Sequence, residues 1–138
     1  MTPTKPHLPL DPAAHDLAVA AARAAAARKA EDVCVYDLHV VSSFCDAFVV
    51  CHGTNRRQVT AIAQGVIDEL RARGVRPMGV EGMDAGRWVL IDFGDIVVHV
   101  FDEAMRGFYD LDGLWGDAPR VPVDSLGRSE GERAETRS

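Results

Sequence analysis

Arg87-Trp88-Val89-Leu90-Ile91-Asp92-Phe93-Gly94-Asp95-Ile96-Val97-Val98-His99-Val100-Phe101 is a pair of apolar runs interrupted once, at Phe93-Gly94. β-Branched and aromatic residues fill both runs, and so short a Gly-bearing break between them is the pattern of a hairpin with a tight turn. With Phe93-Gly94 in the turn, Asp92 lies opposite Asp95, Leu90 opposite Val97 and Trp88 opposite His99. Side chains alternate across a strand, so one face carries Val89, Ile91, Ile96, Val98 and Val100. The other carries Trp88, Leu90, Asp92, Asp95, Val97, His99 and Phe101. The first face is a core surface. The second mixes aromatic and ionisable groups, the composition of an interface centre. Two coverings of that second face are open from the sequence: a partner, or the chain's own segment Asp102–Trp115 folding back.

Outward from the hairpin, the clearest element is a helix from about Arg56 to Arg73. Val59, Ile62, Ala63, Val66, Ile67 and Leu70 form an apolar stripe of helical period, and Gly74 follows as a stop. Asp11-Pro12 opens an Ala-rich helix to about Lys29, whose thin apolar face implies close packing. Val33–Val41 and Phe44–His52 read as strands separated by Ser42-Ser43. Val75–Val80, which contains Pro77, suits a short strand at a sheet edge. Asp102 can cap a short helix reaching about Tyr109. Residues 1–10, with three prolines, read as a loose arm, and residues 117–138 as a disordered polar tail, leaving one domain over residues 11–116.

The 138-residue chain carries a net charge of −6, which argues against general nucleic-acid binding, because phosphate neutralisation needs clustered Lys and Arg. Eight acidic and two basic residues lie between Glu81 and Asp112, so this segment holds the whole surplus and favours a basic partner surface. Cys34, Cys45 and Cys51 sit in apolar runs without CxxC spacing and read as reduced, buried thiols of a cytoplasmic protein. The first ten residues lack the apolar core of a signal peptide, and no apolar run approaches membrane-spanning length.

Chemical motifs are sparse. Asp92-Phe93-Gly94 spells the kinase magnesium motif, but no Gly-rich phosphate loop or catalytic loop accompanies it. Gly53-Thr54-Asn55 ahead of a helix fits ordinary capping better than an anion site. Asp92, Asp95 and His99 form an improbable metal set, because Asp is common beside turns for local reasons. No Ser–His–Asp or Cys–His set is identifiable by spacing, and neither a metal nor a cofactor is expected.

Several segments together resemble the ribosomal silencing factor (Iojap-like) family. They are Lys29-Ala30-Glu31-Asp32-Val33, Ser42-Ser43-Phe44-Cys45-Asp46-Ala47-Phe48-Val49-Val50-Cys51, Gly53-Thr54-Asn55-Arg56-Arg57-Gln58-Val59 and Glu81-Gly82. The hairpin run and Arg106-Gly107-Phe108-Tyr109-Asp110-Leu111-Asp112-Gly113-Leu114-Trp115 complete the match, which spans roughly residues 13–116. The resemblance implies an α/β fold: a mixed sheet of about five strands with helices packed mainly on one face, similar to nucleotidyltransferases but without their catalytic carboxylates. It implies no enzyme. It implies instead binding to the large ribosomal subunit through a basic large-subunit ribosomal protein, which blocks joining of the small subunit and represses translation under nutrient limitation. Homodimers are a family property, and large-subunit maturation is attributed to organellar relatives.

Carried onto this chain, the resemblance implies a partner-binding set of Trp88, Leu90, Asp92, Asp95, His99, Tyr109, Asp110 and Trp115. Trp88 and Tyr109 are the apolar anchors, and Asp92, Asp95 and Asp110 pair with Lys or Arg. His99 is a hydrogen-bonding neighbour. The alternatives are a homodimeric module whose sheet face pairs with itself, and a divergent nucleotidyltransferase-like enzyme using Asp92 or Asp95 with magnesium.

Overall fold

A computed structural model describes residues 11–39, 45–114 and 118–123. Helix α1 (Pro12–Ala27) begins where the Asp11 carboxylate accepts the Ala13 and Ala14 N–H groups at 3.1 and 3.2 Å, with Pro12 in the first position. It closes with Lys29 left-handed at φ 66°, the Lys29 N–H donating to Ala26 and the Ala30 N–H to Ala25. Helix α2 (Arg56–Ala72) is capped by the Asn55 side chain on the Gln58 N–H and ends on Gly74 at φ 84°. Every member of its apolar stripe is buried.

Five strands form one mixed sheet in the order β1-β2-β5-β4-β3. They are β1 (Glu31–Asp37), β2 (Ala47–Gly53), β3 (Gly79–Glu81), β4 (Trp88–Asp92) and β5 (Ile96–Asp102). β2 and β5 run parallel, joined by a crossover through α2, and the other neighbours are antiparallel. Val89, Ile91, Ile96, Val98 and Val100 pack beneath α1 and α2 together with Val35, Ala47, Val49 and Cys51. The alanines of α1 allow the two helices to lie close. Gly65 of α2 receives the Arg28 stem, and a Cβ there would stand 2.8 Å from the Arg28 Cγ.

The opposite face holds a second, smaller cluster: Tyr36, Leu38, Cys45, Val50 and Phe101, with Met105 and Leu111 against it. Those last two come from α3 (Glu103–Tyr109) and α4 (Leu111–Leu114). Fully burying one aliphatic or aromatic side chain contributes roughly 1.5–3 kcal/mol, so the larger cluster under α1 and α2 dominates stability. The second cluster is the surface against which the C-terminal segment rests.

Three expectations need correction. The hairpin turn is Gly94-Asp95, and the pairs are Trp88 with Phe101, Leu90 with His99 and Asp92 with Val97. Phe93 continues the strand: it is buried, and its N–H donates to the Ile96 carbonyl at 3.0 Å. A buried phenyl ring outweighs a place in the turn, and Gly94, at φ 92°, takes the first turn position where positive φ favours glycine. The slip is by two residues, so each side chain keeps its expected face.

The polar stretch from Asp117 onward was expected to stay unpacked. Residues 118–123 instead run antiparallel beside β1. The Asp37 N–H donates to Pro119 at 2.7 Å, the Val121 N–H donates to Val35 at 2.9 Å, and Val121 is buried. They cover an otherwise open strand edge. The strand bounds also shift: the first runs Glu31–Asp37 rather than Val33–Val41, and the third is only Gly79–Glu81. The expected arm at residues 1–10, the Ser42-Ser43 turn, Trp115 and the remainder of the tail lie outside the described residues.

Candidate partner-binding face

Between Glu31 and Cys34 the β1–β2 register breaks, with Asp32 at φ 47°. A bulge of this kind re-aims backbone groups. Here it turns the Glu31 and Asp32 carbonyls to the Arg106 guanidinium, at 3.4 and 2.7 Å from Nη1. Arg106 grips Asp112 with two hydrogen bonds of 2.8 Å and donates to His52 Nδ1 at 3.0 Å. The Tyr36 hydroxyl donates to the same Asp112 carboxylate at 2.8 Å. Burial alone would lower the Arg106 pKa, but the hydrogen bond and charge of Asp112 raise it instead. Arg106's hydrogen bonds hold the Asp112 carboxyl at about 2 against the opposing effect of burial. Burial first, then the Asp112 hydrogen bond, pushes Tyr36 well above its ordinary value. This network fastens α3 and α4 to β1 and β2.

What it fastens is an aromatic row. The Asp102 carboxylate caps α3 on the Met105 N–H at 2.8 Å. α3 ends at Asp110, left-handed at φ 52°, whose side chain accepts the Gly113 N–H at 3.0 Å and opens α4. Tyr109 thereby lies on Trp88, with ring centroids 4.4 Å apart, and Trp88 lies on Phe101 at 5.0 Å. Phe108 meets Tyr109 edge-on at 5.1 Å. Phe108, Leu114 and Tyr109 are 74%, 68% and 45% exposed, and Tyr109 and Phe108 continue outward from half-buried Trp88.

The second hairpin face is covered by the chain's own C-terminal segment over part of its extent and is left partly open over the rest. Phe101 is sealed by the chain's own C-terminal segment, whereas Trp88, Leu90, Asp92 and Val97 remain half-buried. Asp95 stands exposed in the turn, and Asp92 accepts the Gly94 N–H at 2.8 Å. His99 is the exception to the predicted set. It is 4% exposed, accepts the Trp88 indole N–H on Nδ1 at 3.2 Å, and stands against Phe48 at 4.5 Å. It touches its own chain and not a surface: Phe48 of β2 and the Trp88 ring stand against it, and Leu90 of β4 is its partner in the strand register. Burial lowers its pKa to about 4, so the ring is neutral.

Arg106, Asp112 and Tyr36 were not singled out from the sequence, whereas Phe108 could be read there, with Tyr109 and Trp115, as an aromatic extending the hairpin patch. Arg106 was legible only as one of two bases in an acidic stretch. The Gly53-Thr54-Asn55 step acts as a cap, with Asn55 on Gln58 at 2.9 Å. The open cleft beside it, about 490 Å³, is also lined by Asp102 and Glu103, whose carboxylates oppose an anion there. Among the described residues no group of three or more His, Cys, Asp or Glu is arranged to hold a metal, and no helix is long and apolar enough to cross a membrane.

Fold and face together define a mixed α/β domain that sets aromatic and acidic side chains on one partly uncovered sheet face. The family model described as ribosomal silencing factor during starvation matches residues 11–138. The chain belongs to the ribosomal silencing factor family. It is 43% identical over 104 residues to ribosomal silencing factor RsfS of Bacillus subtilis (strain 168), covering 75% of this chain and 88% of that one. It is 32% identical over 89 residues to the mouse mitochondrial assembly of ribosomal large subunit protein 1, covering 62% of this chain and 39% of that one. A crystal structure of a protein from Chromobacterium violaceum superposes with a TM-score of 0.72 at 35% identity, covering 83% of this chain and 94% of that one.

Proposed function

We propose that this chain binds the large ribosomal subunit through a basic patch on one of its proteins and blocks joining of the small subunit, repressing translation when nutrients are scarce. The observation that carries the reading is the half-open row Trp88–Tyr109–Phe108, with Asp110 next to Tyr109 in the chain and Asp92 and Asp95 at the turn end of the same hairpin. Aromatic anchors inside a charged rim are the anatomy of a protein interface, and the acidic sign favours ribosomal protein over RNA. The mouse relative's name, which refers to large-subunit assembly, supports the same partner. Catalysis has no part in the proposal: the carboxylates serve as rim charges and caps. The proposed location is the cytoplasm, where ribosomal subunits meet.

The test is a sucrose gradient of isolated subunits. Wild-type protein should co-sediment with large subunits and reduce the joined peak. Tyr109→Ala, which removes a surface ring outside the main core, should weaken binding by about 2 kcal/mol, or roughly thirtyfold. Trp88→Ala should weaken it at least as much. Undiminished binding by either folded variant would remove this face from the account.

A homodimer through the same face is the second reading, supported by the exposure of Phe108 and Leu114. Light scattering separates the two. The dimer reading requires wild-type protein to be dimeric and Trp88→Ala monomeric.

A further inference from the structure

We propose that His99 is a positioning residue for the partner-binding face. It takes the single hydrogen bond that Trp88 can donate, holding the indole with its N–H turned into the protein and leaving only carbon to meet a partner. The inference rests on reading this face as the docking surface.

Phe101 and Tyr109 lie on Trp88 at 5.0 and 4.4 Å. Ring contacts of this kind fix the plane of the indole. A half-turn about its Cβ–Cγ bond keeps that plane but swings the six-membered ring to the other side and exchanges the N–H edge for a carbon edge, so it changes both the ring packing and the hydrogen bond. The bond from Trp88 Nε1 to His99 Nδ1, 3.2 Å long, selects one of the two states. To accept it, Nδ1 must be bare, so the ring proton sits on Nε2. Burial keeps the imidazole in that neutral form at physiological pH.

The other ring nitrogen shows why this is not simply a packing residue. His99 Nε2 is buried without a hydrogen-bond partner, and the imidazole stands edge-on to Phe48. An apolar ring would fill the same space and remove that orphaned donor but would take the acceptor from the Trp88 N–H, so filling space alone does not call for histidine here. An acceptor for Trp88 does. It follows that the partner surface opposite Trp88 has no acceptor to supply, because the indole has no donor left to offer.

The test compares four proteins: wild type, His99→Phe, His99→Asn and His99→Gln. Asn places its carbonyl oxygen where Nδ1 stands, whereas Gln reaches past that point to the Nε2 position. The Trp88 indole N–H is identified in a nitrogen–proton spectrum by its loss in Trp88→Phe, and its exchange with solvent is followed. Binding to purified large ribosomal subunits is measured in parallel.

Wild type and His99→Asn should protect the indole N–H. His99→Phe and His99→Gln should expose it to exchange at least tenfold faster while remaining folded. Binding should weaken by about tenfold in the same two variants, the cost of ordering a loosened anchor, and recover in His99→Asn. A protected indole in His99→Phe overturns the proposal, as does an exposed indole with undiminished binding. Should His99→Phe fail to fold, the contrast between His99→Asn and His99→Gln decides in its place. Should wild type fail to bind large subunits, the function proposed above falls, and the indole exchange still decides whether His99 sets the ring.

Discussion

At the scale of single residues, His99 carries a signature in acid. Burial lowers its pKa from 6.5 to about 4, so the folded protein binds this proton later than the unfolded chain does. Its contribution to stability is complete above pH 6.5 and is lost as pH falls from there toward 4. The whole change is on the order of 3 kcal/mol, at about 1.4 kcal/mol per unit. Chemical denaturation at stepped pH should show the slope in wild type and a flatter profile in His99→Phe. The alternation of the hairpin was enough to put His99 on the same face as Trp88. It could not reveal that the middle of that face is closed, because the closing ring, Phe48, arrives from β2 through a parallel pairing across the crossover. Non-local neighbours of this kind leave no trace in local periodicity.

At the scale of elements, α3 and α4 depend on a polar clamp more than on burial. Neither helix contains a buried residue, and their place is set by Arg106, Asp112 and Tyr36. Arg106→Gln should destabilise the protein by about 2 kcal/mol, below the loss for a fully buried pair because Asp112 keeps contact with water. Tyr36→Phe should cost about 1 kcal/mol. The double variant should fall short of the sum, since both side chains act through one carboxylate. Thermal melts of the four proteins measure this cycle. Asp112 keeps its charge down to about pH 2 rather than its ordinary 3.8, so the stability from its charge persists above pH 4 and fades only as pH falls toward 2. Limited proteolysis after Arg106 should be faster in Arg106→Lys than in wild type, because one ammonium cannot make the guanidinium's fan of contacts.

The same scale shows which signals a sequence carries. α2 announced itself through its stripe, its cap and its glycine stop, all local features. The hairpin faces were legible for the same reason. The turn register was not, because Phe93's worth as a core residue depends on helices elsewhere in the chain. The clamp was not, because Arg106 meets the Asp32 carbonyl across 74 positions and Tyr36 meets Asp112 across 76.

At the scale of the whole molecule, charge is concentrated where the aromatics emerge. Eight of the chain's acids fall between Glu81 and Asp112. Exposed charges steer an encounter across roughly 8 Å at physiological salt. Association with large subunits should therefore slow as salt is raised, while dissociation changes little. Asp95→Asn should reduce both the association rate and its salt dependence, leaving stability within about 0.5 kcal/mol of wild type. Stopped-flow mixing at two salt concentrations checks this.

The two borders of the sheet are finished differently. Residues 118–123 run along β1, whereas among the described residues nothing pairs with the outer side of β3, three residues long. Endless stacking of sheets side by side demands two vacant borders on every copy. Because residues 118–123 already occupy the hydrogen-bonding side of β1, growth through β1 itself would first require that segment to be displaced.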